Sequence, residues 1–189
     1  MQSHRVRELF EQSPIVAAVK SDELLQQAIK SDCSVVFVLY GTICTIDRIV
    51  QTLKDNGKIA IVHIDLINGL GGKDVGVDFI HEHTRADGII STKQNLVRRA
   101  VELGMIAGER TFIVDSMALA NIKNHIATFK PDFLEIMPGL LTKIIKDLHS
   151  YTDVPLVAGG LINDKADILH ALDDGACAIS TTKAELWSL

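Results

Sequence analysis

Short apolar runs of strand length alternate along this chain with longer stretches in which apolar residues recur at helical spacing. The strand-length runs fall at 15–19, 35–39, 59–65, 88–90, 111–114, 133–136, 155–158 and 177–180. Amphipathic segments lie between them at 22–30, 46–55, 94–103, 117–129, 140–149 and 165–174. Gly57, Gly104 and Gly175 stand just past three of these segments, where a residue of positive φ commonly closes a helix. Such alternation is the mark of repeated βα units around a parallel sheet. Eight units predict a closed, compact TIM-like (β/α)8 barrel with short loops, a single barrel domain over 1–189. Barrels of this kind run to about 250 residues with a floor near ~200, so almost nothing is left for insertions. A doubly wound open sheet is the alternative, and it normally uses fewer strands.

The two halves of the chain also echo each other. VKSDELL at 19–25 matches VDSMAL at 114–119, and LING at 66–69 matches LIND at 161–164, each pair 95 positions apart. IISTK at 89–93 matches AISTTK at 178–183 in the same order. This order favours a barrel built from two half-barrels.

Composition narrows the function. Of 189 residues, 47% are hydrophobic and 23% charged, which excludes a disordered chain. The formal charge of −5 weakly repels phosphate backbones and anionic membranes, so any nucleic-acid contact has to rest on a local patch. Cys33, Cys44 and Cys177 are widely spaced, which fits reduced, buried thiols better than disulfides or a structural zinc site. The first residues are broken by charges before any signal-length apolar run, and no apolar stretch nears the ~18 residues of a membrane span. The expected location is cytoplasmic, with no membrane partner.

Side chains alternate along a strand, and an outward charge is costly against the helix layer. Polar residues at strand ends therefore converge on the C-terminal mouth, where barrel sites are built. On this logic Lys20, His63, Asp65, Asp115 and Glu135 are mouth residues, with Asp115 also suited to cap the next helix. Gly159-Gly160 after the seventh strand, with Ser180, Thr181 and Thr182 after the eighth, have the place and composition of a barrel phosphate site: glycines admit an anion to backbone N–H groups and hydroxyls add donors. The loop 68–74, rich in glycine, is placed to fold over a ligand, with Lys73 reaching a phosphate. His81-Glu82-His83 leads toward a strand's N-terminal end, away from the mouth, and no metal is expected. Lys93, Arg98, Arg99 and Arg110 form a modest basic cluster, the candidate RNA contact. There is no Gly-x-Ser-x-Gly elbow, no GxxxxGK[ST] loop and no HExxH.

In order, HIDLINGL (63–70), DGIISTK (87–93), VDSMAL, KPDFLEIMPG (130–139), VPLVAGGLI (154–162) and AISTTKAELW (178–187) resemble the GlpP family, the glycerol 3-phosphate-responsive antiterminators of glycerol uptake operons. The resemblance covers nearly the whole chain. It implies a barrel that binds glycerol 3-phosphate as effector, without a cofactor, and binds the leader mRNA of glycerol-utilisation genes, with a homo-oligomer among the assemblies it allows. It also implies phosphate binding by Gly159, Gly160, Ser180 and Thr181. The polyol end then lies near Asp65, Glu135 and Lys20, which is an inference from strand geometry. On this reading no residue is catalytic. The competing expectation is an isomerase or lyase of a small phosphorylated metabolite, using Asp65 with Glu135 or Lys20 as acid and base.

Overall fold

The computed structural model describes residues 2–188. Eight parallel strands, β1 (Ile15–Val19), β2 (Val35–Val38), β3 (Ile59–His63), β4 (Gly88–Ser91), β5 (Ile106–Phe112), β6 (Phe133–Met137), β7 (Leu156–Gly159) and β8 (Ala178–Thr181), pair in sequence order. β8 returns to pair with β1, Val16 opposite Ser180, and closes the barrel. A helix follows each of the first seven strands: α2 (Asp22–Lys30), α3 (Ile46–Asp55), α4 (Asp74–His83), α5 (Gln94–Glu102), α6 (Ser116–Thr128), α7 (Thr142–Tyr151) and α8 (Lys165–Asp173). The open-sheet alternative is excluded. Among the described residues no helix is long and apolar enough to cross a membrane.

α1 (Gln2–Gln12), which precedes the first strand, was not among the expected elements. Its Val6 and Phe10, one helical turn apart, are buried in the cluster that fills the barrel interior. Phe10 meets Phe133 edge-on at 5.3 Å, and Phe37 stacks on Phe133 at 5.6 Å. α1 thus closes the N-terminal end of the barrel with the aromatic packing that such pairs prefer. Gly108 belongs to this layer: a Cβ there would sit 2.1 Å from the Phe133 ring, so the ring fills the space that β5 leaves open.

The fifth strand is the main correction to the expected elements. It runs from Ile106 to Phe112, not 111–114. Gly108 and the adjacent charges Glu109 and Arg110 break the apolar pattern there, and both charges are buried because each has a partner. The third strand also ends early, at His63, and Asp65 sits in a 3-10 turn over Ile64–Leu66. Gly57, Gly104 and Gly175 all have positive φ where the helices end. Of the cysteines, Cys33 and Cys177 are buried and Cys44 is exposed, all three as free thiols.

Candidate functional site

Two residues beyond the apolar layer along each strand, the interior changes character. Ile61, Gly108, Phe133 and Ala178 are succeeded by His63, Arg110, Glu135 and Ser180, and Val157 by Gly159. Period-two alternation puts all of these on the inner face. Glu135 is fully buried, and its two oxygens have separate partners: Arg110 Nε donates to Oε2, and Ser180 Oγ donates to Oε1 at 2.5 Å. A Cβ on Gly159 would stand 2.5 Å from both Glu135 Oε1 and Ser180 Oγ. Gly159 therefore makes room for the carboxylate.

This polar layer is the floor of a cavity of about 290 Å³ that opens at the C-terminal mouth. Arg110, Glu135 and Ser180 line it from below, and Gly160, Thr182 and Lys183 from the rim. Gly160 has φ 72° and Leu161 φ 60°, a left-handed pair that turns the chain sharply from β7 toward α8. Lys183 is held over this turn by donating from Nζ to the Asn163 carbonyl at 3.1 Å, and the Trp187 indole N–H fixes the Thr181 carbonyl at 3.0 Å. Lys20 is exposed, two residues past Ala18, itself a lining residue.

A second polar group lies on the β3–β4 side. Asp65 accepts hydrogen bonds from Ser91 Oγ at 2.9 Å and from the Thr92 N–H at 2.8 Å, and Lys93 Nζ is 3.6 Å away. Burial works to raise the Asp65 carboxyl, but the Thr92 and Ser91 hydrogen bonds outweigh it and hold the group below its usual value. His63 Nδ1 lies 3.9 Å from Asp65 and has no hydrogen-bond partner among the described residues. Burial, reinforced by the Arg110 charge, lowers the His63 pKa to about 4. An unfolded imidazole takes up its proton near 6.5, so between these values the unfolded state binds a proton that the folded state refuses. His63 by itself takes away about 3 kcal/mol of stability as the pH drops through that window. Glu109 acts in the opposite direction, because burial raises its pKa to about 7 and the folded state takes up that proton first. Denaturant titrations of the parent and of His63→Asn at several pH values isolate the His63 contribution as the difference between their slopes.

Several expected site residues fall elsewhere. Asp115 caps α6, accepting from the Ala118 N–H at 2.7 Å. Lys73 is exposed at the start of α4, and it is Lys93 that reaches back to Asp65 and lies against Gly72. The expected RNA cluster does not form one patch. Arg110 is a correction to that set: it points into the barrel and is only 8% exposed, because a charge on the inner face of β5 has Glu135 beside it in register. Arg99 is held by Asp78 at 2.7 Å and Glu102 at 3.0 Å, while Arg98 is exposed and lies over the Phe129 ring at 4.3 Å.

Residues 15–187 match the family described as glycerol-3-phosphate responsive antiterminator. The chain belongs to that family. Similar proteins include the uncharacterized protein YgcP of Escherichia coli K12, 42% identical over 181 residues, which covers 96% of this chain and 95% of YgcP. Among solved structures, the glycerol uptake operon antiterminator regulatory protein of Listeria monocytogenes superposes with a TM-score of 0.88 at 28% identity, covering 92% of this chain and 94% of that one. A glycerol uptake operon antiterminator-related protein of Thermotoga maritima gives 0.82 at 28%, covering 93% and 98%. The family match and these two structures support an antiterminator regulator that responds to glycerol 3-phosphate.

Inspection of the sequence missed Arg110 as a cavity residue and Glu109 altogether. Glu109 points the opposite way from Arg110, into the helix layer, where His125 Nδ1 meets Oε2 at 2.8 Å. The adjacent charges Glu109-Arg110 inside an apolar run were the available signal, since two neighbouring strand residues face opposite sides and each needs its own partner.

Proposed function

We propose that the cavity at the C-terminal mouth binds glycerol 3-phosphate and that this binding controls the affinity of the protein for leader RNA of glycerol-utilisation genes. The barrel acts in the cytoplasm as an effector-gated regulator and not as a catalyst. The observation that carries this reading is the Arg110–Glu135–Ser180 cluster at the floor of a small cavity, directly above the apolar layer of the barrel. A buried carboxylate accepts hydrogen bonds from hydroxyl groups and repels a phosphate dianion, while the guanidinium beside it donates. The ligand thus enters glycerol end first. Its phosphate stays at the rim, with the Gly160 and Thr182 backbone N–H groups and the Lys183 ammonium around it. This orientation explains why a mouth built for a phosphate keeps a carboxylate at its floor.

Ligand-dependent thermal unfolding tests the assignment. Glycerol 3-phosphate at about a hundred times its Kd stabilises the fold by roughly 2.7 kcal/mol through mass action, and glycerol or inorganic phosphate at the same concentration is expected to do far less. Equal stabilisation by inorganic phosphate would reduce the site to a general anion site.

A further inference from the structure

The rim around the mouth cavity is apolar where the loops of a soluble protein are usually polar. On the sector formed by the ends of β5, β6 and β7, the side chains of Phe112, Val114, Met117, Leu140 and Leu161 are all exposed, from 41% at Leu140 to 81% at Val114. They stand side by side. The Ile113 N–H donates to the Met137 carbonyl, and the Gly139 N–H to the carbonyls of Gly159 and Gly160, so the three loops that carry them run as neighbours. Together they present on the order of 500 Å² of apolar surface, near the upper end of the largest patch that a monomer commonly leaves in water. Two exposed, opposite charges flank the patch, Asp115 at the head of α6 and Lys143 in the first turn of α7. Neither has an ion-pair partner among the described residues.

We propose that this sector is an interface between two copies of the chain, related by a twofold axis that passes between the β5 and β6 loops, and that the pairing is linked to effector binding. The link rests on the effector reading above; the interface does not. A twofold axis presents a patch to its own copy, and an apolar patch matches itself. With the axis between α6 and α7, each Asp115 faces the Lys143 of the other copy, so charges that are unpaired within one chain are paired across the two. The area agrees as well. One side of a standard interface buries about 800 Å², somewhat over half of it non-polar, which is the apolar surface that the five side chains offer. RNA fits this sector less well, because Val, Met and Leu bring neither a stacking face nor a donor, and Asp115 repels phosphate. Leu161 supplies the link to the effector. It follows Gly160 at φ 60° and lines the cavity as well as the sector, so a second copy seated there borders the cavity rim. Linkage between the two equilibria is reciprocal.

Sedimentation velocity over a series of protein concentrations, with and without glycerol 3-phosphate, reads the assembly, and a dimer is expected. Val114→Glu, at the most exposed of the five positions, should keep the circular dichroism spectrum and the thermal shift with glycerol 3-phosphate. It should raise the dimer dissociation constant roughly a hundredfold or more, since it buries an unpaired charge. Lys143→Glu sets carboxylates against Asp115, and Asp115→Lys, which also gives up the α6 cap, sets ammonium groups against Lys143. Each of these variants alone should pair at least roughly tenfold more weakly than the parent, and an equimolar mixture should recover a heterodimer in which every facing pair is again of opposite charge. Saturating glycerol 3-phosphate should tighten the parent dimer roughly fivefold to 150-fold. A parent chain that stays monomeric at every concentration, or an oligomer that survives Val114→Glu, overturns the interface while the effector reading stands. A monomer whose binding of leader RNA is lost in Val114→Glu overturns it too and gives the sector to RNA. A mixture that forms no heterodimer overturns the stated axis. A dimer that glycerol 3-phosphate does not tighten, although the ligand still raises Tm, overturns the link, whereas a protein that glycerol 3-phosphate does not stabilise at all contradicts the effector reading itself.

Discussion

Replacing Arg110 with Met is expected to destabilise the protein by about 3–5 kcal/mol, because it leaves the carboxylate of Glu135 buried without its cation. Glu135 has no exposed surface and Arg110 has 8%, so the pair sits out of bulk water. In a chain of this size the change lowers Tm by on the order of 10 °C, which calorimetry or circular dichroism will resolve. The paired change Arg110→Met with Glu135→Leu removes both charges and should recover most of the loss, since a buried ion pair replaced by apolar groups of similar volume is often neutral. Neither variant is expected to bind glycerol 3-phosphate. A single Arg110→Met variant as stable as the parent would mean that the pair does not hold the barrel floor together.

Gly159→Ala is expected to abolish effector binding with a smaller effect on stability. The added methyl would lie 2.5 Å from Glu135 Oε1 and from Ser180 Oγ, well inside contact distance, and both partners sit in a closed interior. Overpacking of this kind costs about 1–3 kcal/mol of stability. Relief requires Glu135 or Ser180 to turn away, and the ligand then loses hydrogen bonds to a charged group worth about 1.5–3 kcal/mol each. Two such bonds correspond to a fall in affinity of roughly a hundredfold to ten-thousandfold. Gly71→Ala is the matched control, because a Cβ there meets nothing within 4 Å. Titration calorimetry with glycerol 3-phosphate compares the two. Unchanged affinity in Gly159→Ala would remove Glu135 and Ser180 from the site.

The eightfold alternation was legible because parallel strands buried on both faces read as continuous apolar runs, and seven of the eight lay where the runs predicted. The fifth was misplaced for a physical reason. Gly108 is small because Phe133 fills its space, and Glu109 and Arg110 are charged because each has a buried partner more than a dozen residues away. Local pattern cannot see such partners. The same holds for α1, whose Val6 and Phe10 look like a weak amphipathic turn until the open end of a barrel is there to receive them. At the mouth, the placing of Glu135 and Ser180 together followed from strand parity. What parity left open was height along the barrel axis, which set Gly159 against Glu135 and moved Lys93 from a surface patch to Asp65. The half-chain echo has a structural counterpart: Leu66 follows β3 and Leu161 follows β7, both exposed at the mouth, four strands apart.

Binding of labelled leader RNA from a glycerol-utilisation operon, with and without saturating glycerol 3-phosphate, tests the central claim most directly. Coupling between two sites on one fold amounts to about 1–3 kcal/mol, so the effector should tighten RNA binding by roughly fivefold to 150-fold, glycerol and inorganic phosphate should have little effect, and Gly159→Ala should lose the response. Equal RNA affinity with and without glycerol 3-phosphate would contradict the account.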